Sequence, residues 1–181
     1  MPDGTPPADR VTESAMETFR PGPGTERPYR DALGRFGTGV TVVTCRDGDA
    51  PLAMTANSFS SISLDPPLVM WAPAISSSRH DAFVAAPAFS IHILRDDQLP
   101  LARAFARDGR DFSHAAWEEG EAGVPRLAGA VARLDCRHHA AHGAGDHTIV
   151  LGRVERVALG AGAPLLFVAG RYGSFAERDL P

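Results

Sequence analysis

The segment Met54-Thr55-Ala56-Asn57-Ser58-Phe59-Ser60-Ser61-Ile62-Ser63-Leu64 alternates small hydroxyl and amide side chains with apolar ones, then closes on Asp65-Pro66-Pro67-Leu68. Such a row either lines a polar ligand with hydrogen-bond donors or is a half-exposed strand whose Ser and Thr face water. A second concentration, Ser76-Ser77-Ser78-Arg79, opens a helical stretch. Hydroxyls, helix-start amides and a guanidinium make a phosphate cradle, because the dipole and the charge-assisted bonds favour the same anion. A serine cap with an incidental arginine is the plainer alternative. Cys136, His138, His139, His142, Asp146 and His147 form the third. Their types suit zinc, but His138 and His139 are adjacent and point to opposite faces of a strand, and no C-x-x-C pair anchors a tetrahedral site. No metal site is assigned. Gly145-Asp146-His147-Thr148 is the tighter unit: Asp146 caps the turn and His147 begins a strand at a rim, a solvated turn histidine being the alternative.

What is missing narrows the chemistry. All 18 basic residues are arginine, so neither a P-loop nor Schiff-base chemistry through a lysine amine is available. Neither Gly37-Thr38-Gly39 nor Gly143-Ala144-Gly145 extends to G-x-G-x-x-G, and no G-x-S-x-G elbow occurs. A net charge of −4 leaves no basic footprint for nucleic acid. No apolar stretch approaches the roughly 20 residues a membrane-spanning helix needs, and the acidic, Pro/Gly-rich start lacks the pattern of a secretory signal. A cytoplasmic location is the expectation. Cys45 and Cys136 sit in apolar runs and read as reduced, buried thiols.

The elements that must position these groups follow from pattern. Residues 1–27 read as a mobile arm and 28–181 as one domain, large enough at 44% apolar composition for its own core. Tyr29, Leu33 and Phe36 recur at helical spacing until Gly37 and Gly39. Val40 to Cys45 is a strand, Arg46-Asp47-Gly48-Asp49 a hairpin turn, and residues 51–56 its partner. Leu68–Trp71 and Ala88–Leu94 read as strands, with a serine-capped helix over 76–86 between them. Asp97–Ala106 reads as an amphipathic helix capped by Asp96 or Asp97, and 107–125 as a long loop in which Phe112 and Trp117 are anchors or a flap. Strands over 128–138 and 147–159, a connection over 140–146, a last strand over 164–169 and a tail at 171–175 complete the chain. Many strands with few helices point to a β-barrel or sandwich.

The order of motifs closely resembles the flavin reductase family, the reductase component of two-component flavin-dependent monooxygenases. The likeness is carried by Phe36-Gly37-Thr38-Gly39-Val40-Thr41-Val42-Val43-Thr44, the Met54–Leu68 row, Ser76-Ser77-Ser78, Gly145-Asp146-His147 and Pro164-Leu165-Leu166-Phe167, over roughly residues 29–175. It implies a mainly β, Greek-key-like, FMN-binding split β-barrel with two or three peripheral helices, usually a homodimer with flavin near the subunit interface. It also implies an NAD(P)H:flavin oxidoreductase that passes hydride from NADH or NADPH to FMN or FAD and supplies reduced flavin, by diffusion, to a partner monooxygenase. A non-catalytic flavin-binding split barrel is the alternative. By position, Thr55, Ala56, Asn57, Ser58 and Ser60 correspond to the segment along the isoalloxazine ring and ribityl chain. Ser76, Ser77, Ser78 and Arg79 correspond to the phosphate turn, and His147 with Arg171 and Tyr172 to the nicotinamide side, His147 as the catalytic candidate. Ala53 departs from the family pattern, where glycine often precedes Met-Thr-Ala.

Overall fold

A computed structural model describes residues 16–177. Strand accounts for 46% and helix for 18%, so sheets carry the core. In chain order the elements are α1 (Glu26–Leu33), β1 (Thr38–Gly39), β2 (Thr41–Asp47), β3 (Ala50–Ala56), β4 (Ser60–Leu64), β5 (Pro67–Trp71), α2 (His80–Ala85) and β6 (Ala88–Ile93). They continue with α3 (Leu99–Arg107), β7 (Trp117–Glu119), β8 (Pro125–Leu127), β9 (Ala132–Ala144), β10 (His147–Leu159), β11 (Leu165–Val168) and β12 (Arg171–Ser174).

Seven strands form one antiparallel sheet in the order β3-β2-β6-β9-β10-β5-β4; its two outer strands do not pair, so the ladder stays open. Strands β1, β11 and β12 form a second sheet, and β7 and β8 a two-stranded one. The run Thr41–Cys45 is buried on both faces, which is why it reads as continuous β-branched residues instead of alternating ones. Val43 and Cys45 face a cluster with Leu52, Trp71, Phe83 and Phe89 under α2. Val42 faces Leu94, Leu101, Phe105 and Phe112 under α3. Trp71 meets Phe83 edge-on at 5.0 Å, a favoured aromatic geometry. Burial pushes both thiols, Cys45 and Cys136, up to about 12, so they remain protonated and unreactive.

Several expectations need correction. The first helix starts at Glu26, with Glu26 in its first turn and Arg30 in its last to suit the dipole, and none of its residues is buried. Residues 1–15 of the expected arm lie outside the described residues. Helix α2 begins only at His80 and no serine caps it; Ser76–Ser78 form a turn ahead of it. The α3 region begins in a 3-10 turn at Asp96–Gln98, and Asp97 caps nothing because Arg95 holds its carboxylate through two 2.7 Å bonds. The supposed long loop leads into the β7–β8 hairpin, and Phe112 anchors it on Phe105 of α3 at 4.9 Å while exposed Trp117 leans on Phe112 at 5.2 Å. Strand β9 runs to Ala144, so the connection to β10 shrinks to Gly145-Asp146, with Gly145 at φ +67° as a tight turn requires. The tail is a strand, β12, paired with β11. Among the described residues no helix is long and apolar enough to cross a membrane.

Candidate functional site

The end of β3 delivers the front of the polar row. The Thr55 hydroxyl donates to the Ala102 carbonyl at 2.7 Å and the Thr41 hydroxyl to that of Ala56 at 2.8 Å, which joins β3 to α3 and squares its end. Beside this end lies a pocket of about 190 Å³ lined by Val40, Thr55, Ala56, Asn57, Phe167 and Tyr172. Asn57 and Phe167 also line a larger groove of about 570 Å³ between α1 and the β11–β12 turn, with Leu33, Phe36 and Thr38. The two spaces together fall within the roughly 300–1,000 Å³ of small-molecule sites, mostly apolar with a few polar groups. The exposed Asn57 side chain, which has no hydrogen-bond partner among the described residues, is the free donor and acceptor at their junction.

The rest of the row divides by task. Ser58 accepts from the Ala72 amide at 2.9 Å and donates to the Ala72 carbonyl at 3.2 Å, pinning the β3–β4 loop to the end of β5. Ser60 is exposed on β4, an outer strand, and reaches only the Ser61 carbonyl. Tyr172 packs on Phe167 at 5.0 Å and lies under the Arg103 guanidinium at 5.9 Å, whereas Arg171 points to solvent.

Ser76 and Ser78 are exposed in the turn before α2, and the Ser77 hydroxyl accepts from the Arg79 amide at 3.3 Å. Arg79 itself is occupied. Its guanidinium donates to the carbonyls of Ala53 at 3.0 Å, Phe105 at 2.7 Å and Ala106 at 3.2 Å, and burial holds its pKa below the ordinary arginine value. Two of those carbonyls belong to the last turn of α3, where a helix leaves acceptors without partners. The Gly109 carbonyl accepts from the Ala53 amide at 2.8 Å, so Arg79 and Gly109 together cover both free backbone groups of Ala53 on the outer edge of β3. A side chain at 109 is excluded, since its Cβ would stand 2.2 Å from the Ala53 oxygen.

His147 opens β10 at the rim. Its Nδ1 donates to the Asp146 carboxylate at 2.8 Å, its Nε2 has no partner among the described residues, and 42% of the side chain is exposed. The same bond holds the Asp146 carboxyl below the usual carboxylate range. Thr55, Ala56, Asn57 and Tyr172 therefore share one pocket, and the Ile75 amide, donating to the Asp146 carbonyl at 2.9 Å, joins the segment of Ser76–Arg79 to the Gly145–His147 turn. His147 opens β10 of the large sheet and makes an isolated bridge with Ala74, whereas Arg171 and Tyr172 stand on β12 of the small one. His138 and His142, four residues apart on β9, are separated by about 13 Å of extended chain. No group of three or more His, Cys, Asp or Glu among the described residues could hold a metal ion. Sequence reading passed over His80, whose ring bonds Asp81 and Thr148, and Gly109. The His-Asp pair following the serine turn was the available signal for the first; nothing local marked the second.

Comparison with known proteins points one way. Residues 33–176 match the flavin reductase like domain. Over 160 residues the chain is 52% identical to the FMN reductase (NADH) SmoA of Agrobacterium fabrum, covering 88% of this chain and 92% of that one. It is 35% identical over 158 residues to the reductase subunit HsaB of a flavin-dependent monooxygenase from Rhodococcus jostii, covering 86% and 81%. Among solved structures it resembles the NADH:FAD oxidoreductase SgcE6 of Streptomyces globisporus C-1027, crystallised with NAD and FAD fragments. That likeness has a TM-score of 0.77 at 42% identity and covers 82% of this chain and 91% of that one.

Proposed function

The chain belongs to the flavin reductase-like domain family, and on that premise we propose that it transfers a hydride from NADH to FMN or FAD and releases the reduced flavin to a separate monooxygenase. The observation that carries this reading is the pocket at the end of β3, with unpartnered Asn57 at its junction with a larger apolar groove. The lining of the smaller pocket lacks any strong acid or base, the charged residues Arg30, Asp31 and Arg35 bordering only the groove, and this suits hydride transfer between two stacked rings because positioning does most of the catalytic work.

A bound flavin supplies the electron-accepting ring; the protein supplies its setting. The paired rings of Phe167 and Tyr172 line the pocket, Asn57 offers an amide, and Thr55 and Ala56 border it. Exposed Ser76 and Ser78 offer hydroxyls to a flavin phosphate, while Arg79, with three carbonyls already on its guanidinium, holds the turn in place from behind. His147, with Nε2 free and Nδ1 on Asp146, orients the nicotinamide.

The working form in this proposal is a cytoplasmic homodimer, with flavin near the subunit interface. Phe36 at 79% exposure and Leu64 at 96% support it, as apolar surface that a second copy would remove from water. Purified protein mixed with NADH and free FMN or FAD should consume nicotinamide absorbance well above the protein-free rate, with NADPH as the second donor tested. No acceleration with either nicotinamide would leave flavin binding without catalysis.

A further inference from the structure

His80 is the first residue of α2, with 12% of its side chain exposed. Its Nδ1 lies 2.8 Å from Asp81 Oδ1 and its Nε2 lies 2.8 Å from Thr148 Oγ1. A carboxylate only accepts, so in the neutral ring the proton sits on Nδ1 and Nε2 accepts the Thr148 hydroxyl. Thr148 directly follows His147 on β10, and adjacent strand residues project to opposite faces. Thr148 is therefore turned inward to α2 while the neighbouring imidazole stands at the rim.

Two backbone bonds already join this corner, Thr148 N–H to the Pro73 carbonyl at 3.1 Å and Ile75 N–H to that of Asp146 at 2.9 Å, and together they make the Ala74–His147 bridge. The His80–Thr148 bond adds the side-chain tie between the two segments. We propose that His80, oriented by Asp81, is a positioning residue that fixes His147 toward the nicotinamide through Thr148. The proposal rests on the nicotinamide role given to His147 above. The serine turn does not depend on this tie, because Arg79 anchors it to β3 and α3, and the Ser77 amide to the Ala74 carbonyl at 3.0 Å.

Steady-state kinetics of the full chain with NADH and FMN tests this. His80→Ala should raise the KM for NADH about fivefold, with kcat and the flavin KM within about twofold, since only positioning at one subsite is loosened. Thr148→Val should reproduce that effect, and serves as the second probe should His80→Ala fold poorly. His80→Gln should restore the wild-type KM, its amide oxygen accepting where Nε2 does. In a His147→Ala background, His80→Ala should add nothing, because residues acting through one another are non-additive. Additive losses, equal changes in both KM values, or no rescue by glutamine would overturn the proposal while leaving the role of His147 intact. An unchanged NADH KM in His147→Ala alone would remove that role, and the positioning proposal with it.

Discussion

His92 and His147 occupy opposite ends of the same large sheet's range of environments. His92, on β6, is fully buried; its Nδ1 donates to the Val42 carbonyl at 3.0 Å and its Nε2 accepts from the Leu127 amide at 3.0 Å. Burial drives its pKa down to about 4, so the neutral ring is a fixed bracket joining β2 to β8. His147 stands at the rim with one nitrogen tied to Asp146 and the other open. Identical side chains thus serve the fold where backbone groups take every polar atom, and are available to a ligand where one atom remains. Arg79, with backbone carbonyls on both Nη atoms, stands nearer His92, and Asn57 stands with His147.

The largest test of the contrast is His92→Phe. It leaves the Leu127 amide buried without a partner and takes from the Val42 carbonyl the ring donor it has besides its ladder bond, and should destabilise the protein by about 3 kcal/mol in denaturant titration. The folded fraction should keep its KM for both substrates. Acidification makes a related demand. The folded-state pKa of His92 lies below its ordinary 6.5, so its contribution is fully present above 6.5. It is lost as pH falls from 6.5 toward about 4, because the unfolded chain takes up the proton first. Unfolding free energies measured between those limits should decline by up to about 3 kcal/mol, and the His92→Phe variant should lack that portion of the decline.

Arg79→Ala comes next, at about 2 kcal/mol, since three carbonyls lose a charged donor. If the guanidinium serves the fold, use of FMN and of riboflavin should suffer alike. A loss confined to FMN would move Arg79 to the ligand side of the comparison. The smallest structural effect is expected for His147→Ala, within about 0.5 kcal/mol as for an exposed residue. Its NADH KM should nevertheless rise about tenfold while the flavin KM holds. Equal rises in both would place His147 away from the nicotinamide.

Much of the scaffold was legible because local pattern and burial agree. Thr41–Asp47 and Ala50–Ala56 pair as the hairpin expected from Asp47-Gly48, and Leu101 with Phe105 forms the buried face of α3. The β7–β8 hairpin, which begins within 107–125, was not, because its strands are only three residues each and take their register from the fold around them. In the candidate site, residue type marked the polar row, but which of its hydroxyls remain available was hidden. Thr55 meets a carbonyl 47 positions away, Ser58 one 14 away and Arg79 carbonyls 26 and 27 away. Residue type states what a side chain can bond; only the folded chain states what already bonds it.

Gly109 carries a consequence of a different kind. Its missing side chain lets its carbonyl close on the Ala53 amide and leaves room for Arg79 to close on the Ala53 oxygen. Gly109→Ala would push both away and bare a length of β3, a ready template for a strand from another molecule. Its signature would be colloidal: aggregation that grows with protein concentration and is relieved by dilution, while the flavin pocket in each chain left in solution is still formed.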